Sequence, residues 1–238
     1  MVLYNVAQCC GWLYLLITSI PHLGRALIKG EDDGQLYRDT GFVLRLLCAA
    51  ALLEIAHAAC GLVKSNPVIT GFQVIARLFV TCAILGYVPE AQTCRGFPLL
   101  LFAFCSVEII RYPFYALSLL GIDSYVVTWL RFSHLHQHLS NQRQSLPDLL
   151  CRYTAFVILY PMGASGEMMC YFSSLDRVKS TGLHSMKMPN SFNMSFNFYY
   201  LLVTIMILYV FLFPVMYSHM FAQRKKFFAK NAEKNKSS

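Results

Sequence analysis

An all-α, polytopic membrane helix bundle with about six transmembrane helices is the fold class this sequence predicts, and three observations carry it. Of 238 residues, 56% are hydrophobic and 13% charged, with a mean hydropathy of +0.48. That is far more apolar than a water-soluble domain of this length. Apolar stretches of about 20 residues recur along the chain, the length that crosses roughly 30 Å of hydrocarbon at about 1.5 Å per residue. Short connectors of turn-forming residues separate them: GEDDG at Gly30 to Gly34, KSNP at Lys64 to Pro67 and SLPD at Ser145 to Asp148.

The first stretch, Val2 to Ile20, lacks the basic flank and small-residue cleavage site of a signal peptide and is expected to stay as a membrane anchor. Gly41 to Val63, Val68 to Val88 and Phe97 to Leu120 supply the next three spans, and Phe198 to Tyr217 the last. The fifth region is irregular. Ile122 to Arg131 is apolar but short, Phe132 to Cys151 is polar and His-rich, and Arg152 to Phe172 is apolar again, which predicts a split span. A membrane-embedded domain over residues 1–222, with a polar insertion at about 132–151, is therefore followed by a basic tail over 223–238.

Six of the basic residues behind the net charge of +8 lie between Arg224 and Lys236. Basic residues beside a span favour the cytosol, so an even number of spans places both termini there. Arg25, Lys29, Arg38, Arg177, Lys179 and Lys187 then fall on the opposite side, and the topology rests mainly on the tail. Lys236 and Lys234, third and fifth from the end, have the spacing of a dilysine retrieval signal of the endoplasmic reticulum. A nucleic-acid-binding patch is not indicated. The cysteines, nine in all, include Cys48, Cys60, Cys82, Cys105 and Cys170 in apolar stretches without CxxC spacing. They read as helix-packing residues with no redox role, and the adjacent Cys9 and Cys10 as either lipidated or, the simpler reading, buried. His134, His136 and His138 would share a face only in a strand, so a solvated loop is expected there rather than a metal site.

Ionisable residues inside the spans carry more information, because a charge at mid-membrane costs about 2.5–3.5 kcal/mol and persists when it faces a cavity or a partner. Arg45 and Glu54 lie in the second span, Arg77 in the third, Glu108 and Arg111 in the fourth and Glu167 in the fifth. Glu54 and His57 share a helix face, as do Glu108 and Arg111. Ion pairs that only fix helix register would explain them equally well. The stretch LYPMGASGE, Leu159 to Glu167, tips the reading toward chemistry, since Pro161, Gly163 and Gly166 predict a bend between Tyr160 and Glu167. These two residues are two helical turns apart, about 10 Å along the axis. Such a pair suits β-elimination, in which a base removes the proton beside a carbonyl and an acid assists a departing hydroxyl. Cys105 to Arg111 also satisfies the Cys-x5-Arg spacing of cysteine phosphatases, but an apolar helix has no free backbone N–H groups to cradle phosphate.

Taken together, these residues resemble the very-long-chain (3R)-3-hydroxyacyl-CoA dehydratases, also called protein tyrosine phosphatase-like proteins. The resemblance rests on Tyr4, Asn5, Gln8, Gly11 and Trp12, on LLEIAH at Leu52 to His57 and on QVIAR at Gln73 to Arg77. EIIRYPFYAL at Glu108 to Leu117, RYTAFVILYPMGASGE at Arg152 to Glu167 and the basic tail extend it over nearly the whole chain. It implies a multi-pass enzyme of the endoplasmic-reticulum membrane that removes water from a long-chain 3-hydroxyacyl-CoA in the third step of fatty-acid elongation. The product is a trans-2-enoyl-CoA. It further implies Tyr160 and Glu167 as the catalytic pair, with Glu54, Arg77, Glu108, Arg111, Arg152 and Gly163 supporting the site or binding substrate. No cofactor or metal is implied; membrane lipid, elongases and a trans-2-enoyl-CoA reductase are the partners. The insertion at 132–151 departs from the family and leaves open a catalytically impaired homologue or splice variant that acts as an elongase-binding scaffold. A transporter would require paired broken helices that the sequence lacks.

Overall fold

The computed structural model describes residues 1–29, 34–61, 67–120, 146–186, 195–214 and 217–218. The connectors at 30–33 and 62–66, the segment 121–145 with its three histidines, Lys187 and the tail from 219 lie outside the described residues. Apart from one isolated bridge between Met186 and Phe196, the secondary structure among the described residues is helical. The helices are α1 (Val2–Lys29), α2 (Gln35–Ala50), α3 (Leu52–Ala59), α4 (Pro67–Leu78), α5 (Pro89–Gln92), α6 (Gly96–Leu119), α7 (Leu146–Thr181) and α8 (Phe198–Pro214).

Two spans carry local irregularities that composition did not announce. The second is interrupted by a turn at Ala51 and closes at Gly61, whose φ of 71° suits a residue without Cβ. The third changes from α4 to a π-helical segment at Phe79–Ile84, just past Arg77. Stretches Val2–His22, Gln35–Ala59 and Gly96–Leu117 are long and apolar enough to cross a membrane, and Thr70–Ile84 and Phe198–Pro214 are apolar but shorter.

The fifth region corrects the expectation of a bend; the first piece of the expected split span, 122–131, lies outside the described residues. Helix α7 begins at Leu146, inside the polar segment, and runs 36 residues without a break through Pro161, Gly163 and Gly166. The glycines admit a neighbour instead of bending the helix. A Cβ on Gly166 would lie 2.6 Å from the Leu100 backbone nitrogen and 2.7 Å from the Gly96 carbonyl oxygen, and one on Gly163 would lie 3.2 Å from the Ala103 Cβ. Small residues thus let α6 and α7 approach backbone to backbone, the device that association within lipid favours. The pairing of 96 with 166 and of 103 with 163 makes the two helices antiparallel. Helix α6 is central, packed on α1 on one side and α7 on the other.

Burial is inverted relative to a water-soluble protein. Leu3, Val68 and Phe42 are 82%, 76% and 70% exposed, whereas Glu108 is fully buried. Large apolar side chains on the outside and a carboxylate within are what a lipid solvent selects. The protein is a helical membrane bundle.

Candidate active site

Because α7 is unbroken, Tyr160 and Glu167 keep their two-turn separation on one face. That face meets α8. Tyr209 donates its hydroxyl to Glu167 Oε2 at 2.9 Å. One turn farther along α8, Phe213 stacks on the Tyr160 ring with centroids 5.3 Å apart and planes 12° apart, and Tyr217 follows at 6.3 Å and 9°. Later residues of α8 therefore oppose earlier residues of α7, so these helices are antiparallel too. Sequence reasoning missed Tyr209. Spaced by four, Tyr209, Phe213 and Tyr217 read as one more apolar stripe; the usable signal was that a phenol in an apolar span requires a hydrogen-bond partner.

The remaining charges gather in a second cluster. Glu108 on α6 accepts a hydrogen bond from Arg77 of α4 on Oε1 and is ion-paired through Oε2 with Arg111 Nε, the latter at 2.6 Å. Arg111 also donates to Glu54 Oε1 at 2.8 Å and to the Tyr112 hydroxyl at 2.9 Å. Tyr112 and Tyr4 in turn donate to Glu54, Tyr4 at 3.3 Å, and Gln8 donates to the Tyr4 hydroxyl at 3.2 Å. The Arg77 guanidinium lies over the Phe104 ring, 4.8 Å from its centroid. Four helices are joined by this network, which brings Glu54, Arg77, Glu108 and Arg111 together.

The two clusters are neighbours along the α6–α7 contact. Glu108 lies five residues past Ala103, about 7.5 Å along α6, and Tyr160 lies three residues before Gly163, so the antiparallel register puts both beyond the 103–163 crossing at the same end. Gly163 is a packing residue. Arg152 falls in α7, and its side chain is not among those described. Cys105 is buried in the middle of α6 and Arg111 is engaged by two carboxylates, so the Cys-x5-Arg motif forms no phosphate loop. Cys48 and Cys170 are buried as packing residues should be, whereas Cys60 and Cys10 are exposed, which corrects the expectation for both. Among the described residues, no group of three or more His, Cys, Asp or Glu side chains converges to hold a metal.

Chemically, a carboxylate that already accepts one phenol hydrogen bond is held ready to take a proton on its other oxygen. A second phenol on the same face, two turns away, can reach another atom of one extended chain lying along α7. A proton acceptor and a proton donor on one helix face are the two kinds of group an elimination uses.

The family model described as "Protein tyrosine phosphatase-like protein, PTPLA" matches residues 48–137 and 134–230, two ranges that meet inside the polar insertion. The chain is 36% identical over 236 residues to the human "Very-long-chain (3R)-3-hydroxyacyl-CoA dehydratase 2", covering 99% of this chain and 83% of that protein. It is 36% identical over 236 residues to "Very-long-chain (3R)-3-hydroxyacyl-CoA dehydratase hpo-8" of Caenorhabditis elegans, covering 98% and 96%. With "Very-long-chain (3R)-3-hydroxyacyl-CoA dehydratase PASTICCINO 2" of Arabidopsis thaliana the identity is 32% over 235 residues, covering 97% and 93%. No solved structure matches the chain.

Proposed function

This chain belongs to the protein tyrosine phosphatase-like family, PTPLA, and from that premise we propose that it is a very-long-chain (3R)-3-hydroxyacyl-CoA dehydratase, a hydro-lyase of fatty-acid elongation. Its substrate is an acyl-CoA. Relatives from animal, worm and plant all bear the name of this enzyme, which disfavours the scaffold reading.

The observation that carries the catalytic assignment is the shared α7 face of Tyr160 and Glu167, with Tyr209 on the carboxylate. Glu167, as the acceptor of the Tyr209 hydrogen bond, is the base that removes the proton from C2. Tyr160 is the acid that gives a proton to the departing C3 hydroxyl. The C2–H electron pair becomes the new double bond, the C3–O bond breaks, and the oxygen leaves as water carrying the Tyr160 proton. Transfer of the proton from Glu167 back to Tyr160 restores both groups. The buried Glu54, Arg77, Glu108 and Arg111 network fixes the relative positions of α3, α4 and α6 around this face.

Six spans with both termini in the cytosol, a location in the endoplasmic-reticulum membrane, and elongase and enoyl-reductase partners complete the proposal. The basic tail and the pathway position of the reaction support them. Purified chain in lipid should convert a long-chain 3-hydroxyacyl-CoA to the trans-2-enoyl-CoA, and Glu167→Gln should lower kcat by at least about 10²-fold. An unchanged rate in Glu167→Gln would remove the assignment.

A further inference from the structure

We propose that Cys94 and Cys170 are a modification site: they form an intramolecular disulfide that ties the start of α6 to α7, next to the Glu167 turn. The two sulfurs are 3.6 Å apart although 76 residues separate them in sequence. A disulfide bond is about 2.05 Å long, so the sulfurs must close by roughly 1.5 Å, within reach of side-chain rotation. The backbones already meet. A Cβ on Gly96 would lie 2.5 Å from the Gly166 carbonyl oxygen and 3.1 Å from the Cys170 backbone nitrogen, so the chain beside Cys94 touches the turn that carries Cys170. Both sulfurs face the same carbonyl, that of Ala91, at 3.2 Å and 4.0 Å.

The pair is also accessible from one side. Cys170 is fully buried, but Cys94 is partly exposed in the connector before α6 and borders an open groove of about 380 Å³ lined with Met168, Met169, Phe172 and Ser173. A reagent can therefore reach Cys94 first. The contact with the Cys170 sulfur also holds the Cys94 thiol below the usual cysteine value, which favours the nucleophilic thiolate. The oxidant is a soluble disulfide, X–S–S–X. Cys94 thiolate attacks one of its sulfurs, forming Cys94–S–S–X and releasing X–S⁻. Cys170 sulfur then attacks the Cys94 sulfur, releases the second X–S⁻ and gives up its proton, so two thiols are oxidised and one disulfide is reduced to two thiols. On the topology proposed above, this end of the bundle, which also holds the Glu90–Arg177 pair, faces the lumen, where such disulfides form. That support rests on the proposed topology; the geometry does not.

The test counts thiols in the full-length chain, taken in its own membranes with an alkylating quench, denatured and weighed before and after reduction. Two of the nine cysteines should resist alkylation until reduced. Peptide mapping should join the peptide of Cys94 to that of Cys170, and Cys94→Ser should abolish the joined peptide while dehydration continues. Reduction should lower the Tm of the purified chain by about 5–10 °C. Alkylation of all nine cysteines without reduction, even after incubation with excess soluble disulfide, would overturn the proposal, as would a bond joining other cysteines. Because thiols are counted without reference to turnover, failure here and failure of the dehydratase assignment are separable.

Discussion

Glu167 accepts a hydrogen bond from a phenol one helix away, and on the proposed assignment of Glu167 as base that contact makes Tyr209 a positioning residue. A hydrogen bond to a charged group contributes about 1.5–3 kcal/mol, so Tyr209→Phe should lower kcat roughly 10- to 10²-fold with KM little changed, measured as enoyl-CoA formed by the purified chain. Glu108 plays a different part. Its two arginine partners would be left buried beside a neutral group in Glu108→Gln, which should destabilise the bundle by about 3–5 kcal/mol in a denaturation series in detergent. Much of this was legible in advance. The seven-residue spacing of Tyr160 and Glu167 and the three-residue spacing of Glu108 and Arg111 are helical arithmetic. The partner of Glu54 was not, since Arg111 lies 57 residues away and only the tertiary fold brings them together.

At the scale of elements, hydropathy placed α6 to within one residue at both ends, because the bilayer imposes a length, but it cut short α1 and α7, which run on beyond their apolar stretches. It did not place the turn at Ala51 or the π-helical segment after Arg77, where packing rather than composition decides. The glycines of α7 were legible as important and misjudged in purpose: local propensity suggested a break, while the close approach of α6 keeps the helix whole and requires their missing side chains. The two sites should differ. Gly166→Ala sets a Cβ 2.6 Å from backbone that cannot move aside and should destabilise by about 3 kcal/mol with loss of activity. Gly163→Ala meets only the Ala103 methyl at 3.2 Å and should stay folded, with thermal denaturation in detergent distinguishing the pair.

The whole molecule is turned inside out relative to a soluble fold, with Phe and Leu outside and a Glu–Arg–Tyr network inside. Composition alone made that legible. The consequence of the insertion was not, because helix α7 begins within it and the residues proposed for chemistry all lie on α7 and α8. Deleting residues 132–145 removes none of the described helical residues and should leave dehydration within about threefold of the intact chain, assayed side by side in lipid. The central claim is that Tyr160 and Glu167 act as one unit on one acyl chain. It is tested most directly by measuring kcat for Tyr160→Phe, Glu167→Gln and the double substitution, with folding checked by Tm. Residues that serve the same step are not additive. The account expects the double variant to be no slower than the slower single variant; multiplied losses, or a single variant at the rate of the unaltered chain, would contradict it.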